Sequence, residues 1–135
     1  MKYQIIVDSC SDIDKYYLEG KGIGLNIVPL TINVGDNEYV DEGNVKIEEM
    51  LKNLKTPKIK SSSACPSPQA FKEEFDKADY TFVVTITSKL SGCYNSALLA
   101  KNEHPNSAHI HVIDSKAVSG TEILIVDKLV ELINN

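Results

Sequence analysis

The sequence contains no apolar run near the roughly 20 residues that a membrane-spanning helix needs. Only a short apolar stretch separates Lys2 from Asp8, so the amino terminus also lacks the apolar core of a secretory signal. Positive charge is scarce, since 14 Lys and Arg face 19 Asp and Glu and give a formal net charge of −5. A chain of this charge has no cationic field to attract nucleic acid or anionic lipid. These absences predict a cytoplasmic protein with no nucleic acid partner.

Cysteine is also sparse, and its spacing does not match that of common metal sites. Cys10, Cys65 and Cys93 are an odd number and form no C-x-x-C pair. This pattern argues against a disulfide framework and a common zinc site, so we expect no metal. Each cysteine does fall in a serine-rich loop, and converging loops would bring the thiols together. A small redox or metal-binding protein that uses these cysteines is therefore an alternative function.

The 135 residues are enough for one domain, and 42% of them are hydrophobic. Short β-branched runs alternate with helical patterns, which predicts an α/β fold: three α/β/α layers around a mainly parallel sheet. Strands are predicted at 3–7, 25–34, 80–87 and 109–113, and helices at 12–19, 44–54, from Ser67 onwards, 92–101 and 119–133. Pro29 and the turn at 35–37 predict a β-hairpin excursion near residues 28–41. The serine- and proline-rich segment 56–67 is predicted to be a loop.

Small hydroxyl residues crowd the loops that follow the predicted strands. In open parallel sheets, ligands bind at this carboxyl edge. The serines concerned are Ser9, Ser11, Ser61, Ser62, Ser63, Ser67, Ser88, Ser91, Ser115 and Ser119. Hydroxyls and free N–H groups at helix N-termini can hold a carboxylate or phosphate without a full positive charge. An anion site is the functional interpretation, while helix capping and turn formation account for any single serine.

Catalytic interpretations are weaker. Ser91 precedes a predicted helix, but its segment lacks the first glycine of the G-x-S-x-G nucleophile elbow. His104, His109 and His111 lie at the entry or along the body of the last predicted strand, away from the serines. His109 and His111 share a strand face, yet two ligands are too few for a metal site.

Five segments in order resemble the DegV family of fatty-acid-binding proteins, which includes the lipid-carrying subunits of bacterial fatty acid kinases. They are Asp8-Ser9-Cys10-Ser11-Asp12-Ile13; Ile27-Val28-Pro29-Leu30 with Tyr39-Val40-Asp41; Ser63-Ala64-Cys65-Pro66-Ser67-Pro68; Ser88-Lys89-Leu90-Ser91-Gly92-Cys93-Tyr94-Asn95-Ser96-Ala97; and Val112-Ile113-Asp114-Ser115. The resemblance covers the whole chain.

The resemblance implies a non-catalytic carrier that binds a long-chain fatty acid and needs no cofactor. In the family, two hydroxyls hold the fatty acid carboxylate, and they correspond here to Ser63 and Ser91. N–H groups at the helix start after Gly92 would add dipolar stabilisation. The supporting loops would contribute Asp8, Ser9, Ser11, Cys65, Cys93, Asp114 and Ser115. A fatty acid kinase is the implied protein partner.

The sequence also departs from the family pattern. Ser63 and Cys93 each stand where the family has threonine, and Ala64-Cys65 replaces Ser-Gln. Near the end one glycine of the family pattern is missing, and Glu122 places a carboxylate close to the predicted anion site.

Length is the largest departure, because family members carry a second domain that closes over the acyl chain. Residues 1–135 resemble the N-terminal domain alone, with the C-terminal lid domain absent. We expect this chain to bind long-chain fatty acid weakly or not at all by itself. A truncated fold without ligand, which self-associates through the exposed inter-domain face, is a further alternative.

Overall fold

The computed structural model describes all 135 residues. Its strands are β1 (Tyr3–Asp8), β2 (Gly24–Val28), β3 (Thr31–Val34), β4 (Asn37–Val40), β5 (Ser61–Ala64), β6 (Tyr80–Thr85) and β7 (Ile110–Asp114). Its helices are α1 (Ile47–Leu54), α2 (Pro68–Phe75), α3 (Cys93–Asn102) and α4 (Gly120–Asn134). No helix is long and apolar enough to cross a lipid bilayer.

A four-stranded parallel sheet in the order β2-β1-β6-β7 forms the centre of the molecule. On one face, Val126 and Val130 of α4 pack against Ile5, Val7 and Val84. On the other face, α2 and α3 supply Phe71, Phe75, Ala97 and Ala100, which pack against Ile6 and Val83. The central strands are covered on both sides, which is why they are continuous apolar runs. The predicted three-layer α/β/α architecture is confirmed.

A second, antiparallel sheet in the order β4-β3-β5 carries the predicted hairpin excursion. The prediction that 56–67 is a loop was wrong for β5, where Ser63 pairs with Ile32 of β3. All four residues of β5 are exposed, so no hydrophobic alternation marks this strand. Backbone hydrogen bonds to β3 hold it instead, and only the fold reveals that partner.

The helix predicted at 12–19 was also wrong, because this segment forms successive turns. Asp12 has a left-handed φ of 56°, and the Asp14 carboxylate accepts a hydrogen bond from the Tyr16 N–H at 2.8 Å. Such side-chain bonds to the local backbone compete with helix formation. Glu19 then donates to the Tyr16 carbonyl, a bond three residues long rather than four.

The helix predicted to start at Asn44 begins later, after Lys46, and no side chain caps it. Glu49 and Asn53 of α1 both hydrogen-bond to the Tyr39 hydroxyl of β4. Ile47 and Leu51, on the apolar stripe of the helix, are exposed. The predicted cap of α2 is confirmed, since the Ser67 hydroxyl accepts from the Ala70 N–H at 3.2 Å ahead of Pro68.

Candidate functional site

The carboxyl ends of β1 and β6 are joined by the Asp8 side chain, which is fully buried. Its carboxylate accepts hydrogen bonds from the Ile86 N–H at 2.6 Å and the Cys10 N–H at 3.1 Å. Ile86 directly follows β6, and Cys10 lies in the short turn after β1. Asp8 therefore fixes the relative positions of two loops at the ligand-binding edge of the sheet.

Glu122, in the first turn of α4, is a second buried carboxyl beside Asp8. Its side chain is 0% exposed and neither carboxylate oxygen has a hydrogen-bond partner. Burial, together with the charges of Asp8 and Asp12, raises the pKa of Glu122 to about 8, against its ordinary 4.5. Burial also raises the pKa of Asp8, but two backbone N–H groups and the Cys93 thiol oppose that shift. Glu122 is therefore the carboxyl that holds a proton at neutral pH, whereas two backbone N–H groups favour the ionised form of Asp8.

The Ser91 hydroxyl lies over the first turn of α3. It accepts a hydrogen bond from the Cys93 N–H at 3.3 Å and donates one to the Cys93 sulfur at 3.2 Å. The first N–H groups of a helix have no intrahelical partner, and they carry the positive end of its dipole. Ser91 and Gly92 thus lie at the N-terminus of α3, a position where backbone N–H groups favour an anion.

The strand that carries Ser63 leads directly into a loop that packs on the start of α3. The Ser96 hydroxyl of α3 donates to the Pro66 carbonyl at 2.6 Å. A Cβ placed on Gly92 would lie 3.1 Å from the Cys65 sulfur, so the two backbones approach closely. Ser63 is exposed two residues before Cys65. The structure therefore brings the loops of Ser63 and Ser91 side by side; sequence spacing alone gave no signal for the Ser96–Pro66 contact.

Four other predicted residues hold loops in place. Ser9 is buried and its hydroxyl accepts from the Leu30 N–H at 2.9 Å. Ser11 is also buried and accepts from a backbone N–H, while Ser115 bonds to the backbone of Ala117. Asp114 accepts from the N–H and the hydroxyl of Ser88, and that hydroxyl lowers the pKa of Asp114. Turn and loop formation accounts for the hydrogen bonds of these four residues.

The three cysteines do converge at this edge. Cys93 is buried with Leu30 and Ile86, and Cys10 packs against that cluster. Burial is the largest cause that raises the pKa of Cys10 and Cys93 to about 12. A thiol with so high a pKa is a poor nucleophile at neutral pH, which disfavours the redox alternative.

We therefore expect iodoacetamide at pH 8 to alkylate the exposed Cys65 at least about tenfold faster than Cys10 or Cys93, because reactivity follows thiolate content and access. Peptide mass spectrometry over a time course measures the three rates. In urea all three should react alike. Equal rates in the folded chain would show that the Cys10 and Cys93 thiols are ionised or accessible.

The histidines lie away from the serine loops. His109 and His111 stack on Tyr80 and Phe82 along the sheet. His104 packs edge-on against Phe75, beside a cleft of about 590 Å³ at the amino ends of β6 and β7.

A second cleft, of about 680 Å³, lies beside Ser9 and Asp12. Neither cleft is lined by Ser63 or Ser91. Ser63 is exposed and Ser91 is half-buried, and Leu90, next to Ser91, is 71% exposed.

The chain is similar in sequence to known proteins over nearly its whole length. The sequence model of the DegV family, described as uncharacterised proteins, matches residues 2–135. A DegV domain-containing protein of Streptococcus gordonii is 42% identical over 143 residues, covering 100% of this chain and 49% of that protein. A Streptococcus pneumoniae homologue is 41% identical over 138 residues, covering 99% of this chain and 49% of its own length. The chain thus spans about half the length of the curated relatives it matches.

Two solved structures are similar over the same extent. The Streptococcus pneumoniae fatty acid kinase B3 protein, loaded with linoleic acid, superposes with a TM-score of 0.88 at 40% identity, covering 98% of this chain and 48% of that one. A DegV family protein from Eubacterium eligens, loaded with heptadecanoic acid, gives a TM-score of 0.84 at 38% identity, covering 98% and 48%.

Proposed function

Because this chain belongs to the DegV family, we propose that it supplies half of a fatty acid site, in which Ser63, Ser91 and the Gly92 N–H bind the carboxylate. The observation that carries the proposal is the pairing of two serine loops at the N-terminus of α3, in a fold shared with proteins loaded with linoleic and heptadecanoic acid. Each hydroxyl donates one charge-assisted hydrogen bond to the ionised head group.

The acyl chain needs a second surface. Burial of a long tail stabilises by about 0.8 kcal/mol per methylene, but only where the tail is enclosed. The Ser63–Ser91 face is open, and exposed Leu90 provides one apolar wall beside it. A lid domain that follows residues 1–135 would supply the other walls, so this chain alone holds the head group and leaves most of the tail in water.

At the level of the whole protein, the proposed role is that of a cytoplasmic, non-catalytic carrier. It presents the fatty acid carboxylate to a separate kinase and needs no cofactor. Similarity to the fatty acid kinase B3 protein supports this role. The raised pKa values of the half-buried Cys10 and the buried Cys93 support it over thiol chemistry.

Native mass spectrometry of the purified chain tests the half-site. We expect any long-chain fatty acid to dissociate on dilution, since the tail is not enclosed. A stoichiometric fatty acid retained through dilution would contradict the need for a lid. A dimer that retains fatty acid would instead assign the covering surface to a second copy.

Substitution of the two serines tests the head-group site. With octanoate labelled with ¹³C at its carboxyl carbon, Ser91→Ala and Ser63→Ala should each weaken binding by about 1–2 kcal/mol, roughly 5- to 30-fold. Ligand-observed NMR titration measures the affinities. Ser88→Ala is the matched control, because the Ser88 hydroxyl is already engaged by Asp114. Unchanged affinity in both site variants would remove these residues from the site.

A further inference from the structure

The Ser91 hydroxyl is held by a single residue, Cys93, through two contacts. The Cys93 N–H donates to the Ser91 oxygen at 3.3 Å, and the Ser91 hydroxyl donates to the Cys93 sulfur at 3.2 Å. The two contacts together restrict rotation of the Ser91 side chain. Ser91 is therefore already oriented at the start of α3 without any ligand.

The position of the Cys93 sulfur is itself fixed by the core. Cys93 is 0% exposed and packs with Leu30 and Ile86. Ile86, one of these neighbours, donates its N–H to the buried Asp8 carboxylate at 2.6 Å. Packing against Leu30 and Ile86 thus fixes the sulfur that accepts the Ser91 hydroxyl.

Of the two contacts that hold the Ser91 hydroxyl, the bond to the Cys93 sulfur is the weaker one. A thiol sulfur is a weak acceptor, whereas a carboxylate oxygen is a strong one. When an anionic head group arrives, the Ser91 proton can turn to it at little cost, while the Cys93 N–H continues to hold the Ser91 oxygen. Sulfur at position 93 can therefore orient the hydroxyl in the empty site without competing strongly in the occupied one.

We propose that Cys93 is a positioning residue for the carboxylate site. Its buried sulfur orients the Ser91 hydroxyl, and when the carboxylate binds, that hydroxyl donates its hydrogen bond to the carboxylate instead of to the sulfur. The inference rests on the proposed function, since it assigns to Cys93 the support of a ligand-binding serine. Cys93 does not touch the ligand in this arrangement, and its effect passes entirely through Ser91.

Two measurements on the 135-residue chain test the proposal: octanoate affinity, and the three-bond Hα–Hβ couplings that report the Ser91 side-chain rotamer. Cys93→Ala should average the couplings and weaken binding by roughly 3- to 10-fold, the loss of one net hydrogen bond. Cys93→Ser, which keeps an acceptor for the Ser91 hydroxyl, should retain the native couplings, but octanoate binding should weaken because a hydroxyl oxygen competes with the ligand for the Ser91 proton more strongly than sulfur does. Cys93→Val, which is apolar and fills the space of the thiol, replaces the alanine variant if that variant does not fold.

If Cys93 only stabilised the fold, Cys93→Ala would weaken octanoate binding whether or not the Ser91 hydroxyl were present. The Ser91→Ala variant is therefore the control background. There, Cys93→Ala should cause no further loss of octanoate binding. Native affinity and couplings in Cys93→Ala, or an equal loss in the Ser91→Ala background, would overturn the proposal. If the native chain fails to bind octanoate, the proposed function fails, while the couplings of the free protein still decide whether Cys93 orients Ser91.

Discussion

Replacement of Glu122 with glutamine should make the chain more stable than the native protein above pH 8 and leave it similarly stable near pH 4.5. Glu122 is fully buried without a hydrogen-bond partner, and its pKa is raised to about 8 from an ordinary 4.5. The folded chain therefore retains a proton that the unfolded chain releases. This contribution to stability is fully present below pH 4.5 and is lost as the pH rises towards 8.

The slope of this loss follows from linkage. One proton held only by the folded state lowers the free energy of unfolding by about 1.4 kcal/mol per pH unit between the two pKa values. Asp8 acts in the same direction, since burial raises its pKa as well. Glutamine has the shape of glutamate but no charge. In Glu122→Gln, the free energy of unfolding should therefore depend on pH only through the other titratable groups, and less steeply than in the native chain.

Urea unfolding at several pH values measures this curve for both chains. Glu131→Gln is the matched control, because Glu131 lies on the same helix but is 56% exposed in an ion pair with Lys128. The free energy of unfolding of Glu131→Gln should change with pH as that of the native chain does. If Glu122→Gln also showed the native pH dependence, Glu122 would be ionised in the folded protein.

Asp8→Asn should be strongly destabilising at neutral pH. The carboxylate receives the N–H groups of Ile86 and Cys10 in a fully buried position, and asparagine can accept through only one oxygen. One buried N–H then faces an amide NH₂ group, and an unsatisfied buried donor costs about 1–3 kcal/mol.

Asp114 provides the control for this prediction. It too ends a parallel strand and accepts backbone N–H groups, from Ser88 and Lys116, but on the exposed side of its loop. Water can replace a lost partner there, so Asp114→Asn should cost less than about 1 kcal/mol. Equal losses in the two variants, measured by urea unfolding at pH 7, would contradict the structural role assigned to Asp8.

The predictable part of the fold is the part with local signals. The buried runs of β1 and β6 are apolar and β-branched, and the Ser67-Pro68 cap marks the start of α2 within two residues. By contrast, β5 is a strand only because β3 lies beside it, and its four exposed residues carry no periodicity. The helix predicted at 12–19 failed because local hydrogen bonds to Asp14 outweigh a weak helical pattern.

The candidate site also has a part with local sequence signals and a part that depends on tertiary packing. Topology places the serine-rich loops at the carboxyl edge of a parallel sheet, whereas the choice of Ser63, Ser91 and Gly92 among them follows from the resemblance to the DegV family. The close approach of Cys65 to Gly92 joins loops distant in sequence, and it depends on the packing of the β5 loop against α3. The complete burial of Glu122 likewise depends on how α4 packs over the turn that follows β1.

An amide-resolved NMR titration of the 135-residue chain tests the central claim most directly, with octanoate as the ligand and octanol as its uncharged counterpart. The account predicts that octanoate shifts the amide resonances of Ser63, Ser91 and Gly92 with a common saturation curve, and that octanol does not. Shifts confined to the cleft at Ser9 and Asp12, or equal shifts with octanol, would show that the serine loops do not bind the carboxylate.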